Sequence, residues 1–168
     1  RATPAKWKHE PYADSSTVDM AELAKRLRSD SSVARLDASQ ELLTRPKVEA
    51  AALALGVATD RAAPLYVRVA GIFTYAQIEG ASAADELAKL TDDGLVREFA
   101  IRALGDRKAN QEAVDTALLW RAMSDESERV RVAADAGARL VGAELAPRGG
   151  RGQRDGGGQG GPASVPHA

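Results

Sequence analysis

Residues 125–134, Asp-Glu-Ser-Glu-Arg-Val-Arg-Val-Ala-Ala, decide the fold. Asp125 with Glu128 has the spacing of a helix cap, and Val130, Ala133, Ala134, Gly137 and Val141 then recur at helical spacing. The core of this phrase, Val130-Arg131 followed three residues later by Ala134, returns upstream. Val96-Arg97 is followed by Ala100, and Val67-Arg68 by Gly71; a fainter copy holds Val33, Arg35, Ala38 and Leu42. The four arginines are 33, 29 and 34 residues apart. An acidic residue precedes most of them: Asp30, Asp92 or Asp93, and Asp125. A helical phrase recurring at such a period points to stacked helical hairpins.

Working outward, the punctuation predicts eight helices and no strand run. Ser16 with Asp19 opens the first, which reaches about Ser29. The second starts near Ser32 and stops before Pro46. Pro46 opens a third that ends near Gly56. A fourth lies between Pro64 and Gly80. Ser82 with Asp85 starts the fifth, ending at Thr91. The sixth runs from about Asp93 to Leu104 with Gly105 as its stop, Asn110 caps a seventh reaching Met123, and the eighth ends at Gly142. Leu65, Val69, Ile72 and Ala76, with Phe73 beside them, mark one apolar stripe; Val96, Phe99, Ala100, Ala103 and Leu104 mark another. Val114, Leu118 and Leu119 mark the seventh helix. Small residues on these stripes let helix axes approach closely.

The phrase resembles the HEAT repeat, in particular the short bacterial HEAT-like type. Residues 125–134 match best, and residues 84–108, with DDGLVREFAIRALGD at their centre, come next. Residues 60–80 depart from the pattern, with a proline between Asp60 and Arg68. The resemblance implies an all-α fold, a short α-solenoid of about four HEAT-like hairpins over residues 18–142, in which second helices line the inner face. It also implies that the turn Asp and the helix Arg form a structural ladder between neighbouring units. Arg35, Arg68, Arg97 and Arg131 are therefore read first as structural. Stacked hairpins bury jointly the apolar faces that one hairpin cannot bury alone.

A narrower resemblance covers PLYVRVAGIFTYAQIEG from Pro64 and VREFAIRALGDRK up to Lys108. It is similar to the HEAT region of large bacterial secreted proteins, where a sugar-dehydrogenase-like β-propeller precedes the repeats and a c-type cytochrome follows them. That resemblance implies a spacer fragment of a larger oxidoreductase with a periplasmic home; otherwise a cytoplasmic one is expected. The chain begins with Arg1 rather than Met, so it is expected to be processed, cut from a longer protein, or a fragment.

Composition bounds the chemistry. The 168 residues carry 23 Lys+Arg and 24 Asp+Glu, a net charge of -1, which gives no support to a generally basic nucleic-acid binder. There is no cysteine, so disulfides, thiolate metal sites and a cysteine nucleophile are excluded. The two histidines, His9 and His167, stand near the ends, which leaves no interior imidazole for a Ser-His-Asp arrangement. No apolar run has the roughly 20 residues of a membrane span. Eight of the 15 glycines fall between Gly149 and Gly161. Residues 147–168 are therefore expected to be a disordered Gly/Arg-rich tail. Residues 1–15 are expected to be an extended lead-in, and residues 16–146 the helical domain.

No catalytic, cofactor-binding or metal-ligating set emerges. Asp92-Asp93 reads as a helix start. Trp120 with Asp125 is the nearest thing to a base-recognition pair, and Trp120 reads as an anchor between hairpins. The expected function is a non-catalytic scaffold, a protein-interaction or inter-domain spacer module, whose partner is another protein or a neighbouring domain. The expected partner face is that of the second helices, with Arg68, Tyr75, Arg97, Arg102 and Arg131. Tyr66, Phe73 and Tyr75 could contribute to a peptide groove, but Phe73 reads first as core, and Tyr66 and Tyr75 stand nine residues apart and cannot serve the same one. Arg148, Arg151 and Arg154 give the tail an RGG-like look, which would provide weak, salt-dependent contacts to nucleic acid.

Overall fold

A computed structural model describes residues 14–106 and 114–140. Among the described residues the chain is helical, with no strand. The helices are α1 (Met20–Leu27), α2 (Ser32–Leu42), α3 (Lys47–Thr59), α4 (Leu65–Glu79), α5 (Ala84–Leu90), α6 (Arg97–Gly105), α7 (Thr116–Ala122) and α8 (Glu128–Leu140). Short 3-10 turns at Ser15–Thr17 and Gly80–Ala83 precede α1 and α5.

Local chemistry sets most of these ends. The Asp19 carboxylate accepts from the Glu22 amide at 2.8 Å and opens α1. The Ser31 hydroxyl accepts from Ala34 N at 3.4 Å and opens α2. Pro46 and Pro64 stand just before α3 and α4, where a missing N–H costs nothing. Gly80 ends α4 at φ 64, a left-handed conformation that disfavours any side chain.

Several expected boundaries move. α3 continues through Gly56 to Thr59, because an exposed glycine inside a strongly apolar helix weakens it without ending it. Ser82 lies within the 3-10 turn instead of capping α5. α6 begins at Arg97, because Asp93 closes a turn onto the Leu95 amide at 3.1 Å. Gly105 is the last residue of α6 and packs inward. The described part of α7 opens with the Asp115 carboxylate accepting from Ala117 N at 2.9 Å. The expected cap Asn110, the end at Gly142 and the 147–168 tail lie outside the described residues, as does the lead-in apart from Asp14 and Ser15; Ser15 is buried in the fold.

Consecutive helices pack as pairs: α1 with α2, α3 with α4, α5 with α6 and α7 with α8. The second members also touch in sequence, α2 to α4, α4 to α6 and α6 to α8. Two buried clusters result. Leu23, Leu27, Ala38, Leu42, Ala50, Val57 and Val67 form one. The larger one runs from Ala51 and Ile72 through Leu87, Ala100 and Leu119 to Ala138. The α3–α4 pair belongs to both, so it carries apolar residues on two faces.

Close approach explains the small residues. A Cβ on Gly71 would stand 2.6 Å from Ala58 N and 2.8 Å from Ala54 O, so α4 lies directly on α3 there. A Cβ on Gly105 would stand 2.4 Å from the Gly137 Cα, which marks the α6–α8 crossing. Ala38, Gly71, Ala100 and Ala134, the small residues following each phrase arginine, are all buried. The first copy of the phrase is shifted by one position: Ala34, directly before Arg35, is buried, while Val33 is 63% exposed.

Gly105→Ala is expected to cost about 1–3 kcal/mol, because backbone must part to admit the methyl group. Gly56→Ala, where nothing lies within 4 Å, is expected to stabilise by up to about 1 kcal/mol. Thermal melts of both variants check the opposite signs.

Candidate functional site

The frame of the site is a set of contacts between neighbouring hairpins. Arg68 of α4 is buried, with 1% of its surface exposed. Its Nε donates to the Ala58 carbonyl at 2.9 Å, at the end of α3, and its guanidinium reaches Asp93 Oδ2 at 2.9 Å, in the turn of the next hairpin. Arg97 of α6 does the same one hairpin later: Nε donates to Thr91 O at 2.7 Å and Nη1 to Asp125 Oδ2 at 2.8 Å. Each aspartate uses its other oxygen to close its own turn, onto Leu95 N at 3.1 Å and Ser127 N at 2.8 Å. A buried guanidinium is tolerable only when paired and hydrogen-bonded in this way.

Both carboxyls are held below the usual carboxylate range. For Asp93, burial pushes upward, but the Arg68 hydrogen bond, the Leu95 amide and the charges of Arg68 and Arg61 together outweigh it. For Asp125, the Ser127 amide leads, burial opposes, and the Arg97 hydrogen bond and charge add to the lowering. Asp125 is thus engaged through both oxygens, and the nearby Trp120 is partly exposed while Leu119 takes the buried position.

Arg35 and Arg131 sit at the corresponding places on α2 and α8 but complete only half of the pattern. Arg35 Nη1 donates to Ser29 O at 2.7 Å and Asp30 O at 3.0 Å. Arg131 Nη1 donates to Asp125 O at 2.8 Å and Glu126 O at 2.9 Å. Neither has a carboxylate in ion-pair range among the described residues. The turn aspartate nearest in sequence logic to Arg35, Asp60, pairs with Arg28 at 3.4 Å instead.

On the side of the second helices, α2, α4 and Phe99 of α6 enclose an open groove of about 610 Å³. Leu36, Leu65, Tyr66, Phe73 and Phe99 supply its apolar wall, and among the described residues Arg35 is its only charged lining residue. Leu36 is 61% and Tyr66 42% exposed. Ser32, Ser39, Thr74 and Gln77 are the groove's uncharged polar lining residues, and Thr74 Oγ1 lies 2.8 Å from Ser39 Oγ across the α2–α4 contact. At one end the Arg35 guanidinium stacks over the Tyr66 ring, 4.6 Å from its centroid, and the Tyr66 hydroxyl bonds to the Asp30 carboxylate. Two smaller recesses, of about 190 and 280 Å³, lie on the Arg97–Asp125 and Arg68–Asp93 contacts. No three His, Asp or Glu side chains converge on a metal-sized point among the described residues. No described helix is long and apolar enough to cross a membrane.

The expected partner face is corrected in two places. Arg68 and Tyr75 are buried, seven residues and two turns apart on the same face of α4, and neither offers its side chain to a partner. Arg97 is partly exposed but committed to Asp125; Arg102 is exposed and paired with Glu98 at 3.1 Å, and Arg131 is exposed. The structure does not bring these three to the groove. Arg148, Arg151 and Arg154 lie outside the described residues. Sequence reasoning missed Arg35, Leu36, Leu65 and Phe99 as groove residues and assigned Phe73 to the core. One signal was present: Tyr66 and Phe73 are also seven apart, so they share a face that Tyr75 does not.

Comparison of the chain with protein-family models, with curated proteins and with solved structures gives no match.

The pairing predicts an acid limb in stability. A carboxyl whose folded-state pKa is lowered contributes stability above its unfolded value, 3.8 for aspartate, and loses it as pH falls through the folded value. Melting temperature is expected to hold from neutrality to about pH 4 and to fall below it. The double variant Asp93→Asn, Asp125→Asn is expected to melt lower at pH 7 and to show a shallower fall in acid. A calorimetric pH series reads both.

Proposed function

We propose that this chain is a non-catalytic scaffold, a short HEAT-like α-solenoid that binds a partner protein along the groove of its second helices. The carrying observation is the groove itself: an open apolar trough with large side chains left exposed on a frame whose hairpins are tied together by two charge pairs, one of them on the buried Arg68. Exposed apolar surface at this concentration costs solubility unless a partner covers it. The recurrent Val-Arg phrase, the pairing of successive helices and the two completed Arg–Asp contacts support the solenoid reading. In such an architecture the second helices present one continuous surface, and rigid spacing between hairpins gives that surface a defined shape. A rigid surface binds without the entropic cost of ordering itself.

The test is site-specific photocrosslinking in the producing cell. A benzophenone amino acid at position 36 or 66 is expected to trap a discrete protein adduct. The same group at Lys25, whose side chain is 81% exposed on α1, away from the groove, is expected to trap none. Equal labelling from all three positions, or adducts from Lys25 alone, would refute the groove as the partner site.

A further inference from the structure

The charge at one end of the groove identifies the kind of segment that fits it. We infer that the groove takes a short amphipathic helix of a partner protein, whose apolar face fills the trough and whose carboxylate lands on Arg35. This rests on the groove being the partner site.

Two observations carry it. The first is what the walls withhold. They are helices, α2 and α4, whose main-chain groups beyond the first turn are spent within the helices, and the lining is mainly apolar side chain, with Ser32, Arg35, Ser39, Thr74 and Gln77 its polar members. An extended peptide would leave its own N–H and C=O groups unsatisfied against such walls, whereas a helix brings its hydrogen bonds with it. The stretch from Tyr66 to Gln77 on α4 is about 16 Å long at 1.5 Å per residue, which matches three turns of a docked helix.

The second is the state of Arg35. At the matching positions Arg68 and Arg97 each hold an aspartate of the following hairpin. Arg35 holds two backbone carbonyls through Nη1 and the face of Tyr66, and no carboxylate lies in ion-pair range among the described residues. Asp60 is drawn away by Arg28, and Asp30 is turned onto the Tyr66 hydroxyl. The guanidinium is therefore fixed in place, lines the groove, and has its Nε and Nη2 edge without a hydrogen bond among the described residues. A fixed cation at the rim of an apolar trough complements an anion on an apolar helix, and the planar fork suits a carboxylate.

The experiment uses the full chain as bait for a displayed library of helical peptides of about 16 residues with randomised faces. The account expects selected sequences to carry apolar residues at i, i+3 or i+4 and i+7, with Asp or Glu at one recurrent end position. Affinities of the best peptide and its Glu→Gln or Asp→Asn partner are then measured by fluorescence anisotropy on wild type, Arg35→Met and Arg35→Lys. Neutralising the acid is expected to weaken binding to wild type about fivefold and to leave binding to Arg35→Met unchanged, with Arg35→Lys recovering part of the difference. Equal losses on wild type and Arg35→Met, or selected peptides without a recurrent acid, would overturn the inference while leaving the groove as a partner site. Selection of no helical peptide, with oleate binding saturably and blocked by Leu36→Asp, would overturn it in favour of a lipid-like ligand. Crosslinking that fails at positions 36 and 66 would instead remove the reading it rests on.

Discussion

Arg68 is the pivot of the structure. It is a full positive charge with almost no exposure to water, and it persists because α3 ends where its Nε can reach a carbonyl and because Asp93 stands in the next turn. That geometry ties three things at once: the end of the first helix of a hairpin, the second helix, and the turn of the following hairpin. Arg97 repeats it against Thr91 and Asp125. Apolar packing alone is non-directional and would let neighbouring hairpins slide. A guanidinium held from two sides does not allow that, because displacement would leave a buried charge unpaired. The close contacts at Gly71 and at Gly105–Gly137 bring the axes near enough for the arginines to span.

The groove follows from this frame. Its walls are second helices, and its depth comes from Tyr66 and Phe73 rising from α4 between Leu36 of α2 and Phe99 of α6. If neighbouring hairpins shifted by a turn, these side chains would no longer face one another. Arg35 stands where the Arg–Asp pattern lapses. Asp60 pairs with Arg28, and Arg35 stands at the rim with no carboxylate in ion-pair range among the described residues.

Much of the helical order was legible in the sequence because it depends on local chemistry. Pro46, Pro64 and Gly80 each act within one turn of their own position, and the elements around them lie close to where those residues put them; α1 is capped by Asp19 with Ser16 in the preceding 3-10 turn, and α2 by Ser31, which the sequence pattern does not single out. The α3 boundary was not legible: Gly56 reads as a stop, but packing of Val57 and Ala58 carries the helix onward. The phrase arginines were legible as a set, yet their direction was not. Whether Arg68 points to solvent or into the stack depends on an aspartate 25 residues away, which spacing suggests and only packing decides. Tyr75 follows Arg68 inward by helical geometry, so reading one as exposed misplaces both. Arg35 was legible as a member of the set; that it lacks its aspartate was not, since Asp60 is present in the sequence and is captured by a different arginine.

The most direct measurement is the distance between hairpins when the buried charge pair is removed. The chain has no cysteine, so single pairs of spin labels can be placed cleanly. Labels at Gln77 and Arg102, exposed on α4 and α6, report on neighbouring hairpins; labels at Lys47 and Gln77 report within one. The account predicts a narrow Gln77–Arg102 distribution in the parent chain that broadens in Arg68→Met, while the Lys47–Gln77 distribution stays narrow. A Gln77–Arg102 distribution equally narrow in both proteins would contradict it, and would mean that apolar packing alone fixes the stack.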